Sequence, residues 1–93
     1  MERNEPLPLF LVTHRGGLAV NANELVATRS IRDPEAGSLA ETLVELTRHQ
    51  VEMLRRMVNV MAITAAPAGD FRADDGTIVH VGDDGSWHRP HGE

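Results

Sequence analysis

Three histidines near the C-terminus, His80, His88 and His91, are spaced so that a hairpin could gather them, and imidazoles multiplied by symmetry would suit a transition metal. A polar turn and tail account for them more simply, so no metal ligand is assigned. Asp70, Asp74, Asp75, Asp83 and Asp84 offer oxygens to calcium, but they lack the alternating acidic order and closing Glu of an EF-hand loop. Turn formation explains most of them. His14-Arg15-Gly16-Gly17 could hold an anion on backbone amides, and a chain reversal explains it more simply. No Ser-His-Asp or Cys-His order and no pair of carboxylates with a plausible pocket stands out. The expectation is a protein that is not an enzyme, with no catalytic residue, cofactor or metal.

With 93 residues the chain is expected to form one domain at most, and an aromatic content of 3% gives little bulk for a private core. Chains this small often rely on self-association. The absence of cysteine excludes a disulfide framework or a thiolate metal site. A net charge of -5 argues against general binding to nucleic acid or to an anionic membrane. Residues 1–6 are polar, and Leu7 to Val12 is apolar but broken by Pro8, which does not fit a signal peptide. No stretch approaches the roughly 20 apolar residues that span a bilayer. A soluble chain made in a cytoplasm is expected.

The longest periodic stretch is Ser38 to Thr64. Leu39, Leu43, Leu46, Gln50, Met53, Met57 and Val60 fall at alternating steps of four and three, which is a heptad seam with Gln50 as its polar layer. Val44, Val51, Leu54, Val58 and Met61 form a second ribbon beside it. Asp33-Pro34-Glu35 and the capping box Ser38-Leu39-Ala40-Glu41 both read as helix starts, and Ala65-Ala66-Pro67-Ala68-Gly69 reads as a stop. The implied rod is about 40 Å long. The rest of the chain has few large residues to cover it, so the seam predicts self-association.

Before the seam, Leu9 to Thr13 reads as a strand, His14 to Gly17 as a turn and Leu18 to Asn21 as its return. Glu24 to Arg32 reads as a further strand or an extended arm. This arm could cover its own helix or dock onto a partner chain, and docking through Leu9, Leu11, Leu25 and Ile31 is the expectation taken. After the seam, Thr77 to Val81 and Ser86 to Arg89 read as a hairpin reversed by Asp84-Gly85, with Trp87 on the face of Ile78 and His80.

The order Asp75-Gly76, β-rich stretch, Asp84-Gly85-Ser86-Trp87, following a coiled coil and a proline-containing link, resembles the foldon, the C-terminal trimerisation hairpin of phage fibritin, over residues 67–89. The resemblance implies a parallel homotrimer belonging to a phage virion. The expected whole is an α+β chain. It has an N-terminal β arm or hairpin (1–32), one long central coiled-coil helix (33–66) and a C-terminal foldon-like β-hairpin with a polar tail (67–93). Its oligomerisation residues are Leu39, Leu43, Leu46, Gln50, Met53, Met57, Val60, Ile78, Asp84, Gly85 and Trp87. The expected function is a structural part of a virion, such as a short fibre, spike or capsid decoration, assembled in the host cytoplasm and anchored by its arm. The alternative is a small cytoplasmic interaction protein of phage or bacterium that binds a host or regulatory partner through its helix. Neither reading involves nucleic acid or membrane.

Overall fold

The computed structural model describes residues 8–18, 25–33, 35 and 37–88. Seven strands and one short helix run in the order β1 (Leu9–Arg15), β2 (Leu25–Asp33), β3 (Gly37–Glu45), α1 (Arg48–Leu54), β4 (Val60–Ala65), β5 (Gly69–Arg72), β6 (Ile78–Val81) and β7 (Trp87–His88). They form two antiparallel sheets, ordered β2-β3-β1-β4 and β5-β6-β7. The α+β expectation of one long coiled-coil helix over 33–66 is overturned. That stretch contains β3, a helix of 7 residues and β4.

The misreading has a physical cause. In β3, Thr42, Leu43 and Val44 are all buried, because the strand lies between β2 and β1 and both faces of the sheet are covered. A strand covered on both faces becomes a continuous apolar run, which periodicity alone does not separate from a helix. Leu39, Leu43 and Leu46 therefore fit a heptad by coincidence. The actual helix start lies nine positions beyond Ser38. Thr47 Oγ1 accepts from the N–H of Gln50 at 3.1 Å, and Gln50 Oε1 accepts from the N–H of Thr47 at 2.8 Å. This is the capping box that is used, and it converts the supposed axial amide into a cap.

Strand alternation sorts the side chains into two clusters. On one face Val12, Val44, Leu46, Val51 and Leu54 are buried together, with Phe10, Leu18, Met57, Val60 and Ile63 packed against them. Val51, Leu54 and Met57 recur every three positions, so α1 and the turn after it present one apolar stripe to the sheet. On the other face Leu9, Val26, Leu43, Val79 and Val81 are buried, joined by Leu11, Ala27, Phe71 and Trp87. The second sheet covers this face. A register shift between Leu25 and Ala27 lets Val26 and Ala27 both join this cluster. Val12, Val44, Leu54 and Val79 are wholly inaccessible, and burying such a side chain contributes about 1.5–3 kcal/mol each.

β3 and β4 both pair antiparallel with β1, so they run parallel to each other on its two sides, and the chain must cross over. α1 makes the crossing. Asn59 secures its far end, where Nδ2 donates to the carbonyls of Arg15 at 3.0 Å and Gly17 at 2.8 Å, and its own carbonyl accepts from Arg15 N–H at 2.7 Å.

The N-terminal expectation is also revised. β1 runs through His14 to Arg15 and pairs with β3 and β4, while residues 19–21 of the proposed return lie outside the described residues. The strand expected over 24–32 is present as β2, built into the sheet as an edge strand. Thr47→Ala removes the acceptor for the Gln50 N–H and should lower unfolding free energy by about 1 kcal/mol in urea titration, with no change in chain number. A coiled coil starting at Ser38 would be indifferent to it.

Candidate interaction site

The second sheet is made by two copies of one turn. Ala73-Asp74-Asp75-Gly76-Thr77 and Gly82-Asp83-Asp84-Gly85-Ser86 have the same pattern and the same hydrogen bonds. Gly76 N–H donates to Ala73 O at 2.9 Å and Ala73 N–H to Thr77 O at 2.8 Å, while Gly85 N–H donates to Gly82 O at 3.1 Å and Gly82 N–H to Ser86 O at 2.8 Å. Each loop therefore has three residues and closes on a glycine with φ of 94° or 90°, where a Cβ is strained. The expected two-residue Asp84-Gly85 reversal is replaced by Asp83-Asp84-Gly85. That one-residue difference turns Trp87 over, so that it pairs with Val81 and joins the inter-sheet cluster instead of the face of Ile78. The company expected for the Trp face is found within the chain.

In each loop the middle carboxylate orders the residues after it. Asp75 Oδ1 accepts from Thr77 N–H at 2.9 Å, and Asp84 Oδ1 accepts from Ser86 N–H at 3.0 Å and Ser86 Oγ–H at 2.7 Å. Backbone N–H donation, then hydroxyl donation, holds both carboxyls below their ordinary 3.8.

A buried polar network lies on the helix-covered face of the first sheet. The His14 ring is inaccessible apart from 4% of its surface, and Thr42 is buried nearby. A carbonyl only accepts, so Nδ1–H donates to Gly16 O at 2.8 Å, and Nε2 hydrogen-bonds with Thr42 Oγ1 at 2.9 Å. No acid adjoins the ring in these bonds, and the hydroxyl it meets, that of Thr42, is itself buried, with 2% of its residue exposed. The role of the ring is to close the end of β1 onto β3.

Among the described residues β2 and β4 are the edges of the first sheet, and they differ in character. β2 carries Arg29, ion-paired to Glu41 across the strand, and Arg32, and charges of this kind discourage pairing with another chain. β4, Val60-Met61-Ala62-Ile63-Thr64-Ala65, has no charge at all. Ala66 N–H donates to Leu9 O at 3.0 Å, and the alternation of an antiparallel ladder then turns the N–H and C=O of Ile63 and Ala65 outward. Met61 is the extra residue of a bulge opposite Thr13 and His14. Pro67, with no N–H, limits the edge at its far end. Among the described residues the exposed large apolar side chains are Met53, Val58 and Met61, and Val58 is 99% exposed. Met53 and Val58 lie in the segment that leads into this edge, and Met61 lies on it. Where β4 ends, Pro8, Leu9, Ala65, Ala66 and the Asp84–Trp87 turn surround an open groove of about 560 Å³.

The residues singled out in the sequence are scattered by this fold. Leu43 and Trp87 lie in the inter-sheet core with Leu9 and Leu11, which were expected to dock outward. Leu46, Met57 and Val60 pack on the helix side. Leu39 faces Ile31 across β3 and β2, Leu25 stands opposite Val44, and Ile78 is half-buried in β6. Gln50 caps α1, Met53 is exposed on it, and Asp84 and Gly85 form the second turn. Leu9, Asp84, Gly85 and Trp87 also meet around the groove. Sequence reasoning missed Met61, Ile63 and Ala65 as an edge; the signal was an uncharged strand ending just before a proline. No helix among the described residues is long and apolar enough to cross a membrane.

Two outcomes test this geometry. Thr42→Val keeps the shape but leaves His14 Nε2 without its partner, and should cost about 1–3 kcal/mol in denaturant unfolding. Because Asp75 and Asp84 have folded values below 3.8, their contribution is complete above that pH and is lost as pH falls below it through the folded values. The double variant Asp75→Asn, Asp84→Asn should therefore lose less stability than the parent over that acid range in thermal melts.

Comparison with protein families, characterised proteins and solved structures gave no match to this chain.

Proposed function

We propose that this chain is a non-catalytic assembly module that pairs with a second copy of itself along β4. The uncharged, outward-facing edge of β4 carries this reading, because a row of unpaired backbone groups is a template for a further strand. An antiparallel two-fold pairing centred on Ile63 sets Met61 opposite Ala65 of the second copy, large against small, with no like charges brought together. The same operation on β2 would gather Arg29 and Arg32 from both chains. The groove at the Ala65 end leaves room for a strand that continues past the edge.

The heptad seam that motivated a coiled-coil homotrimer is absent, so the trimer and virion expectations no longer have that support. The self-association they contained is moved here to a sheet edge, and the helix surface of the alternative reading shrinks to two turns.

Sedimentation over a wide concentration range provides the test, with dimer formation expected for the parent. Ala65→Pro removes an outward N–H that the β1 ladder does not use, and should shift the chain toward monomer with an unchanged far-ultraviolet spectrum. A parent that stays monomeric at every concentration, or a dimer indifferent to Ala65→Pro and Met61→Lys, would overturn the assignment.

A further inference from the structure

The outer face of the second sheet carries one row of side chains able to hold a cation, independent of the β4 edge. Asp70 pairs with His80, and His80 pairs with His88, so β5, β6 and β7 each contribute one residue to a line across the sheet. Antiparallel partners point to the same side. Val79, Val81 and Trp87 face the core in the alternate positions, which leaves this row on the solvent side.

The chemistry of the row is directional. Asp70 Oδ1 lies 2.5 Å from His80 Nδ1. An ionised carboxylate only accepts, so Nδ1 carries the proton, and in the neutral ring the lone pair is on Nε2. A carboxylate that fixes the tautomer and raises the basicity of the other nitrogen is the usual support of a metal-bound imidazole. On the side of His80 away from β5 stands His88, with ring centroids 5.2 Å apart and planes tilted by 53°. Two imidazoles bound to one tetrahedral ion, with nitrogens about 2.0–2.1 Å from it, have centroids about 5 Å apart. The sheet holds the rings at that spacing before any ion arrives.

We infer that His80 and His88 form a two-imidazole site for a borderline divalent transition metal, with Asp70 as the residue that positions His80. No three His, Cys, Asp or Glu side chains among the described residues could hold an ion together, so water completes the coordination, and the affinity is that of an open site. The nitrogen donor pair selects Zn²⁺, Ni²⁺ or Cu²⁺ over Mg²⁺ or Ca²⁺, which require oxygen.

Titration of the full chain with Zn²⁺, followed by calorimetry and by long-range nitrogen–proton spectra of the imidazoles, tests the site. One ion per chain should bind, shifting resonances of His80 and His88 and leaving those of buried His14 in place, and Mg²⁺ should produce no heat. His80→Ala and His88→Ala should each lower affinity at least tenfold. Asp70→Asn should lower it about tenfold and redistribute the His80 tautomers without metal, a spectral change that a merely structural carboxylate would not give. All three positions are on the solvent face, and metal-free melting curves near that of the parent show that the variants fold. Absence of Zn²⁺ binding in the parent overturns the site. So does binding that survives both histidine substitutions, which would assign the ion to His49 or His91.

Discussion

Two strands of the first sheet, β1 and β3, bury side chains on both faces along part of their length, and the elements packed on the sheet are arranged to keep them so. Alternation along β1 sends Leu9 and Leu11 to one side and Phe10, Val12 and His14 to the other. A single sheet with two apolar faces is unstable in water until both are covered. The chain supplies one cover from its middle, as α1 with the turn after it, and the other from its C-terminal third, as the β5-β6-β7 sheet. Covering both sides divides a scarce set of large residues into two small clusters, each built mostly of Val and Leu. That is how a chain with an aromatic content of 3% forms a core at all.

The polar ties are placed where this packing is thin. His14 and Thr42 are the two buried polar residues of the described chain, and they satisfy each other and the Gly16 carbonyl at the end of β1. Asn59 then fastens Arg15 and Gly17 to the start of β4. A buried hydroxyl or imidazole is costly without a partner, so these bonds fix one register at the end of β1, where apolar contacts alone would allow several.

The sequence was legible where one face meets water and misleading where neither does. β6 alternates, Val79 and Val81 in and His80 out, and its strand could be read directly. β2 shows the same alternation less regularly. β3 does not, and its apolar run merged with that of α1 and β4 into a false heptad. The competing capping boxes, Ser38 with Glu41 and Thr47 with Gln50, are equal in the letters. Packing chooses between them, because only the second places Val51 and Leu54 against Val12 and Val44. The Asp84-Gly85 pair located one reversal of the second sheet but not its length, and the reversal at Asp75-Gly76 was not read, nor was β5 before it. The fixed loop of Asp83-Asp84-Gly85 decides the face of Trp87, and no local residue preference announces a third loop position. The metal-capable row was legible as residues, His80 and His88, and illegible as geometry until that register was known.

The doubled turn limits how this chain can have grown. Asp75 and Asp84 hold the same place in units nine positions apart, and nine is odd, while strand side chains repeat every two. Equivalent positions in successive units therefore fall on opposite faces: Ile78 and Trp87 match in the repeat, yet the first looks toward solvent and the second into the core. A duplicated unit cannot be used unchanged. Each new copy would need its apolar pattern inverted before it could pack, so lengthening this sheet by tandem duplication is closed to small steps, whereas drift within the two existing units remains open.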